Sequence, residues 1–327
     1  MTDTVLVTGA AGFIGSHVAQ ALIERGDQVV GVDNFNNYYD PSRKRANVEE
    51  VLASAAASNL ILAEGDIRSR GLIDDLLETH QFDAIVHLAA MPGVRASMEN
   101  PKLYYDVNLN GTLTLMQAVA EKRAARSSRF VLASTSSVYG NTQQIPFSES
   151  DPCDRPLAPY PASKRAAEML AYSFHHLYDL DVNVLRFFTV YGPRNRPDMM
   201  AFKIADSISS GREVPLFNGG RMYRDWTYID DIVAGVLAAM DRCSGYEVIN
   251  LGRGEPVLLS DFVSFLEEQL GQKATLRDES MPRVDILSTF ADTTKAAELL
   301  EYRPRVGVEE GVSRFVEWYK RAVSRDD

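Results

Sequence analysis

The stretch Thr8-Gly9-Ala10-Ala11-Gly12-Phe13-Ile14-Gly15 follows an apolar run at residues 4–7 and opens a helical pattern that reaches Arg25. Its evenly spaced glycines permit a tight turn, a close backbone approach to a pyrophosphate and close packing of helix on strand. The start of the helix then offers oriented N–H groups to the anion. Because a strand precedes the glycines and a helix follows them, the stretch predicts a dinucleotide-binding turn rather than an ordinary strand–helix turn.

Further apolar runs alternate with helical patterns along the rest of the first half. They lie at residues 28–32, 60–62, 84–88, 129–133 and 182–188, and another follows at 247–251. Continuous apolar strands between helices indicate a parallel sheet that is covered on both faces. The predicted fold class is therefore α/β, a doubly wound parallel Rossmann sheet whose ligands bind at the carboxyl ends of the strands.

Proline and glycine punctuate shorter elements after Phe188, which predicts a smaller C-terminal substrate-binding part. Between the two stretches of this smaller part, at residues 226–254, the chain returns to the sheet. We therefore expect residues 1–186 plus 226–254 to form the dinucleotide-binding domain and residues 187–225 plus 255–327 to form the substrate-binding domain.

Composition excludes several classes of function. A net charge of -11 disfavours nucleic acid and anionic membrane as partners, and an anionic substrate would need a local basic site. The two cysteines, Cys153 and Cys243, suggest neither a disulfide framework nor a zinc site, so we expect a cytoplasmic protein. The histidines have no metal-ligand spacing, so we expect no metal. We see no signal peptide, and no apolar run approaches the roughly 20 residues of a membrane span.

Acidic residues follow two of the predicted strands. Asp33 can accept hydrogen bonds from the adenosine ribose and would repel the 2′-phosphate of NADP, which favours NAD. The alternative is an ordinary turn residue before Asn34. Asp66, within Gly65-Asp66-Ile67, would face the adenine or cap the next helix.

Tyr160 and Lys164 stand four residues apart at a helix start, so both side chains can share one face. Lys164 and the positive nicotinamide would lower the pKa of the phenol and make Tyr160 a general base near neutral pH. Hydroxyl groups in Ser134–Gly140, at the end of a strand, can share the substrate's proton. Alone, the pair could also be an exposed helix start, and the hydroxyl segment an ordinary loop.

Five motifs together resemble the extended short-chain dehydrogenase/reductases that act on nucleotide sugars. They are TGAAGFIG at 8–15, HLAA at 87–90, STSSVYG at 134–140, YPASK at 160–164 and RDWTYIDD at 224–231. The resemblance runs along nearly the full chain. It implies tightly bound NAD, catalytic Tyr160 and Lys164, assistance from Thr135, and a homodimer formed through helices near 101–123 and 160–178. The expected cofactor residues are Gly9, Gly12, Phe13, Ile14, Gly15, Asp33, Asn34, Asp66, Ile67, Leu88, Ala89, Ala90, Tyr160 and Lys164.

The residues after Thr135 distinguish reactions within this family. Relatives that are 4,6-dehydratases carry Asp-Glu there, and relatives that decarboxylate UDP-glucuronate carry Glu. This chain has Ser136 and Ser137, neither of which is a competent acid near pH 7. Oxidation at carbon 4, rotation of the ketosugar and reduction of its other face need only Tyr160, Thr135, Lys164 and NAD, so we expect a 4-epimerase.

The segment 187–199, FFTVYGPRNRPDM, resembles the FFTVYGP-x-x-RPDM signature of UDP-glucuronate 4-epimerases, as do residues 33–40 and 93–101. UDP-galactose 4-epimerases have Asn at the position of Thr189 and lack the RPDM arginine. By this resemblance Arg196 meets the sugar carboxylate, which suits a planar guanidinium. The alternative is a solvated loop arginine. Arg194-Asn195 departs from the Trp-Gly of many relatives.

The same resemblance implies that Arg224 and Arg283 contact the diphosphate, although Val284 departs from the family pattern beside Arg283. Phe217 would lie on the uracil or belong to the core. The expected substrate residues are Arg95, Thr135, Ser136, Ser137, Thr189, Arg196, Phe217, Arg224 and Arg283. Three other functions stay open: a UDP-glucose/UDP-galactose epimerase, a UDP-glucuronate decarboxylase, and a non-catalytic NAD-binding regulator.

Overall fold

The computed structural model describes residues 2–122, 129–280, 284 and 286–323. Its strands are Thr4–Thr8 (β1), Gln28–Asp33 (β2), Leu60–Glu64 (β3), Ala84–His87 (β4), Arg129–Thr135 (β5), Val182–Phe187 (β6), Thr189–Tyr191 (β7), Glu213–Phe217 (β8), Tyr223–Arg224 (β9), Trp226–Tyr228 (β10), Tyr246–Leu251 (β11), Val257–Leu258 (β12), Thr275–Glu279 (β13) and Ser288–Thr289 (β14). Its helices are Phe13–Arg25 (α1), Pro41–Leu52 (α2), Arg70–Thr79 (α3), Pro101–Tyr105 (α4), Thr112–Lys122 (α5), Pro159–Tyr178 (α6), Met200–Ser209 (α7), Ile229–Asp241 (α8), Leu259–Leu270 (α9), Thr294–Leu300 (α10) and Val308–Val323 (α11).

Seven strands form one central sheet in the order β11-β6-β5-β4-β1-β2-β3, and every neighbouring pair is parallel. This confirms the predicted doubly wound α/β fold. The chain order reverses at β1, which lies between β2 and β4. Such a reversal opens a crevice at the carboxyl ends of the strands, where ligands of this fold class bind.

Alternate residues of the central strands enter two different cores. Val5 and Val7 of β1 join one buried cluster, whereas Leu6 between them joins the other. Side chains of a strand point alternately to its two faces, so both faces of the sheet are covered. Burying each such side chain contributes roughly 1.5–3 kcal/mol. The continuous apolar runs of the sequence therefore reflect two cores.

Two boundaries show how local chemistry ends an element. Helix α1 ends at Gly26, whose φ of 103° is a left-handed value that suits glycine. The apolar run at 182–188 divides at Phe188. There the N–H of Phe188 donates to the carbonyl of Leu251, and the N–H of Thr189 donates to the carbonyl of Asp225. The chain thus leaves the central sheet, and β7 pairs instead with β10.

Three small sheets lie beyond this point, β7 with β10, β8 with β13, and β9 with β12 and β14. They carry the segments in which the sequence predicts substrate contacts. Arg283 lies outside the described residues. In the parts of the chain that the structure describes, no helix is both long and apolar enough to cross a membrane.

Candidate functional site

Two positions around the turn between β1 and α1, Gly9 and Gly15, have room for glycine only. Gly9 has a φ of 73°, and a Cβ there would lie 2.9 Å from the backbone nitrogen of Ala89. A Cβ on Gly15 would lie 2.0 Å from the carbonyl oxygen of Gly9. Helix α1 then begins without an acidic residue in its first turn. This cradle fits the pyrophosphate of a dinucleotide, because helix N–H groups and close backbone approach are what such an anion needs.

A cavity of about 170 Å³ runs along this turn. It brings together all but one of the cofactor residues expected from the sequence, with Asp66 as the exception. Those that line it are Gly9, Gly12, Phe13, Ile14, Gly15, Asp33, Asn34, Ile67, Leu88, Ala89, Ala90, Tyr160 and Lys164.

The carboxylate of Asp33 is held from three sides at the end of β2. It accepts hydrogen bonds from the N–H groups of Ala11, at 3.2 Å, and Phe35, at 2.8 Å. The ammonium of Lys44 lies 3.5 Å away, and both side chains are buried. Lys44 also lines the cavity, and sequence reasoning missed it because one lysine in a polar helix gives no sign of where it points.

Asp66 binds protein groups instead of lining the cavity. Its oxygens accept hydrogen bonds from the backbone and side chain of Arg68 and from Asn34. These bonds, chiefly those from the Arg68 side chain, lower the pKa of Asp66 to about 2. The N-cap of α3 is Ser69, so the alternative that Asp66 caps this helix is wrong, and its contact with adenine stays a prediction.

Tyr160 and Lys164 project from the first turns of α6 into the cavity. Burial raises the pKa of Tyr160, while a hydrogen bond with Thr135 and the charge of Arg196 act in the opposite direction. Burial lowers the pKa of Lys164 to about 8, against the charge of Glu168. Burial is the largest of these influences, so the pKa of Tyr160 is raised here, and its lowering by Lys164 together with a positive nicotinamide stays a prediction for the NAD-bound site.

The end of β5 is fixed by its own hydroxyl groups. The Thr135 hydroxyl donates to Ser137 Oγ and accepts from the Ser137 N–H, each at 3.2 Å. Beneath it, Ser134 donates to Glu168, which is fully buried and also accepts from Arg186 at 3.0 and 2.8 Å. Glu168, absent from the sequence-based assignment, thus anchors the strand end that presents Thr135.

A second cleft of about 1400 Å³ adjoins the first, sharing Asn34, Asn36, Tyr38 and Val107 with it. Substrate residues expected from the sequence that line it are Arg95, Ser136, Ser137, Thr189, Phe217 and Arg224. The Arg95 guanidinium lies over the ring of Phe217, 4.7 Å from its centroid, so one face of that ring is covered. Arg224 donates to the carbonyls of Tyr223 and Leu287.

Arg196 lines the first cavity beside Tyr160, with 20% of its side chain exposed. It is paired with Asp198, which also accepts a 3.1 Å hydrogen bond from the Tyr38 hydroxyl. The solvated-loop alternative for Arg196 therefore does not hold. The divergent Arg194 holds this loop to the protein body, because it bonds Glu50 of α2 and Gln20 of α1. Neither Tyr38 nor Asp198 was assigned a role from the sequence.

The sequence model of the NAD-dependent epimerase/dehydratase family matches residues 5–252. The chain is 42% identical over 319 residues to a UDP-glucuronate 4-epimerase of Thermodesulfobacterium geofontis, covering 97% of this chain and 96% of that relative. It is 44% identical over 340 residues to UDP-glucuronate 4-epimerase 4 of Arabidopsis thaliana, covering 99% and 76%.

Solved structures give the same result. The UDP-glucuronic acid 4-epimerase of Bacillus cereus, in complex with UDP-glucuronic acid and NAD, superposes with a TM-score of 0.88 at 34% identity, covering 98% of this chain and 99% of that one. The UDP-glucose 4-epimerase of Thermotoga maritima, with UDP-glucose, superposes with a TM-score of 0.88 at 30% identity, covering 98% and 99%. Because the family model spans most of this chain and relatives above 40% identity span nearly all of it, the chain belongs to the NAD-dependent epimerase/dehydratase family.

Proposed function

We propose that this protein interconverts UDP-glucuronic acid and UDP-galacturonic acid by NAD-dependent 4-epimerisation. The observation that carries the proposal is the position of Arg196, a mostly buried guanidinium that lines the same cavity as Tyr160 and Lys164. A cation held there suits a sugar carboxylate in a protein whose net charge of -11 otherwise disfavours an anion. Relatives that span nearly the whole chain bear the same activity in their names.

NAD bound in the first cavity would supply an acceptor for a hydride from carbon 4 and a donor for the return of that hydride to the other face of the sugar. Tyr160 takes the proton of the 4-hydroxyl, and Thr135, its hydrogen-bond partner, shares that proton. The raised pKa of Tyr160 suits the second half-reaction, in which the phenol must return a proton. The first half-reaction needs nearby positive charge, which Lys164 and Arg196 provide.

Ser136 and Ser137 support epimerisation over the related eliminations. Both line the second cleft directly after Thr135. An aliphatic hydroxyl is too weak an acid near pH 7 to supply the proton that elimination or decarboxylation chemistry uses, so neither serine can take that role. Oxidation makes a ketone β to the carboxylate, and such acids lose carbon dioxide when the breaking bond stands perpendicular to the carbonyl plane. Arg196 would hold the carboxylate away from that alignment.

For the nucleotide we propose the second cleft. Phe217 with Arg95 would bound the uracil, and Arg224 and Arg283 would contact the diphosphate, the latter by family resemblance alone. This assignment agrees with a division into an NAD-binding part, residues 1–186 plus 226–254, and a nucleotide-sugar-binding part, residues 187–225 plus 255–327.

A second copy of the chain is the partner we propose. Helices α4, α5 and α6 carry exposed apolar side chains that a dimer interface would cover. They are Tyr105, Leu113, Met169, Tyr172, Leu177 and Tyr178.

We propose that the protein acts in the cytoplasm. Cys153 and Cys243 are buried and form no disulfide, which suits a reducing compartment.

Incubating the purified protein with UDP-glucuronate and separating the products tests the proposal. We expect UDP-galacturonate. UDP-pentose as the main product would instead identify a decarboxylase, and conversion of UDP-glucose alone would identify an epimerase of neutral sugars. Bound NAD with no conversion of either sugar would identify a non-catalytic NAD-binding protein.

A further inference from the structure

Asp198 occupies one particular edge of the Arg196 guanidinium. A guanidinium can hold a carboxylate in two parallel hydrogen bonds either along its side edge, through Nε and one Nη, or along its end edge, through both Nη atoms. Here Nε donates to Asp198 Oδ1 at 2.9 Å and Nη2 donates to Oδ2 at 3.0 Å. The side edge is therefore taken, and the end edge is the one that a second carboxylate can use.

Tyr38 fixes Asp198 in turn. Its hydroxyl donates to Asp198 Oδ2 at 3.1 Å, so the carboxylate accepts hydrogen bonds from the side chains of both Arg196 and Tyr38. Gly93 makes this contact possible, because a Cβ at that position would lie 2.4 Å from the Tyr38 hydroxyl. Tyr38 belongs to the loop after β2 that also carries Asn34, and both residues line the first cavity. The orientation of Arg196 is thereby tied to the cofactor side of the site.

We propose that Asp198 is a positioning residue that aims Arg196, so that the sugar carboxylate meets only the end edge of the guanidinium. The proposal rests on the proposed function and extends it to the geometry of the carboxylate. With the guanidinium plane fixed by Asp198 and Tyr38, the plane of the bound carboxylate is fixed as well. A bidentate pair also directs the carboxylate's own carbon–carbon bond along the line from the guanidinium carbon, and that direction decides whether the bond can stand perpendicular to the plane of the neighbouring ketone.

Asp198 has an opposing effect on affinity. Two carboxylates on one guanidinium repel each other, so the residue that orients the substrate also weakens its binding. Substituting Asp198 should therefore disturb the orientation of the bound sugar carboxylate without weakening its binding. A residue with a merely structural role would lower both turnover and affinity, or stability alone, without changing the products.

Asp198→Asn tests this, because it removes the charge and keeps the size. We expect UDP-glucuronate to bind at least as tightly as to the wild type, while kcat falls about tenfold, as for loss of one hydrogen bond to a charged group. The share of UDP-pentose among the products should rise. Tyr38→Phe, which keeps the ring and removes one hydrogen bond to Asp198, should change the products in the same direction by a smaller factor.

Asp198→Glu keeps the charge and both oxygens, and we expect it to restore part of the wild-type product ratio. Bound NAD, melting temperature and affinity for UDP check that each variant is folded. An Asp198→Asn variant with wild-type kcat and products would overturn the proposal, as would weaker binding with unchanged products. Faster turnover would overturn it too, because Asp198 would then be a competitor that the substrate displaces. Failure of the wild type to make UDP-galacturonate would instead overturn the proposed function.

Discussion

The hydroxyl of Tyr139 donates a 2.7 Å hydrogen bond to Oδ1 of Asn250, and both residues are buried. Burial raises the pKa of Tyr139, with the charge of Arg186 acting against it. Although Tyr139 lies close to Thr135 in sequence, its hydroxyl proton is already used in the hydrogen bond to Asn250. It is therefore poorly suited to replace Tyr160 as the catalytic base.

Tyr160→Phe should lower turnover by at least about 100-fold, the lower range for general acid–base catalysis, and leave substrate binding largely intact. Stopped assays give kcat, and calorimetry gives the affinity. Tyr139→Phe is the matched control. We expect it to lose roughly 1–3 kcal/mol of stability, because Asn250 Oδ1 loses a buried partner, and to keep its turnover. Normal turnover in Tyr160→Phe with loss in Tyr139→Phe would reverse the assignment.

The nucleotide released on denaturation should be NAD. Asp33 would stand against the 2′-phosphate of NADP, and the nearby Lys44 offsets only part of that charge. Chromatography of the released nucleotide identifies it, and finding mainly NADP would contradict the expectation. Asp33→Asn keeps one acceptor oxygen, so it can accept from only one of the Ala11 and Phe35 N–H groups, which donate to different oxygens of Asp33. It should raise the fraction of NADP taken up during reconstitution, because Lys44 then acts unopposed.

Arg196→Ala should weaken productive use of UDP-glucuronate by roughly 10- to 100-fold, the value of one hydrogen bond to a charged group. Any use of UDP-glucose should change little, because that sugar has no carboxylate. The products, identified by mass, should include more UDP-pentose. Part of the loss will come from Asp198, whose charge is left unpaired near the substrate. The double variant with Asp198→Ala should therefore recover some affinity for UDP-glucuronate but not the wild-type product ratio. Unchanged kinetics in the single variant would refute the contact.

The kcat/KM of the enzyme should decline above about pH 8. Burial lowers the pKa of Lys164 to about 8, so the ammonium carries its charge below that pH and loses it as the pH rises. Without this charge, forming the phenolate of Tyr160 becomes harder. Lys164→Arg stays charged throughout this range, and whatever activity it retains should show no alkaline decline at this pH. A wild-type profile that is flat to pH 10 would show that the Lys164 charge is not required.

Met169→Glu should separate a dimer formed through α4, α5 and α6. Met169 is 59% exposed on α6, and a buried carboxylate at an interface is costly. Light scattering should report twice the chain mass for the wild type and a single chain mass for the variant. Leu299→Glu, at a 42% exposed position on α10, is the control that should remain dimeric. A wild-type protein that scatters as one chain would reject the dimer itself.

The sequence predicted the fold well because its determinants are local. Apolar runs, the glycine turn and the helix over 13–25 each depend on neighbours in the chain, and the structure confirms them. The family was predicted from motifs that are equally local. The same logic placed most of the expected cofactor residues around one cavity.

What the sequence did not reveal depends on contacts between distant segments. Tyr38 and Asp198 are 160 residues apart, and nothing near either one indicates that they meet. Lys44 and Glu168 likewise take their importance from partners that the fold brings to them. The pKa of Tyr160 illustrates the same limit, because the i, i+4 spacing to Lys164 does not report burial, which is the largest influence.

Strand β11, the edge of the central sheet, is supplied by chain that follows β7 to β10. It covers β6 along six paired residues, from Val182 to Phe187. A fragment ending at Phe187 would therefore leave a long apolar strand edge uncovered, which is a template for aggregation. Exchanging the proposed sugar-binding segments between relatives by recombination would thus require three junctions, near residues 187, 226 and 255, whereas a single junction near 187 would also replace β11 and pair β6 with a strand from the other relative.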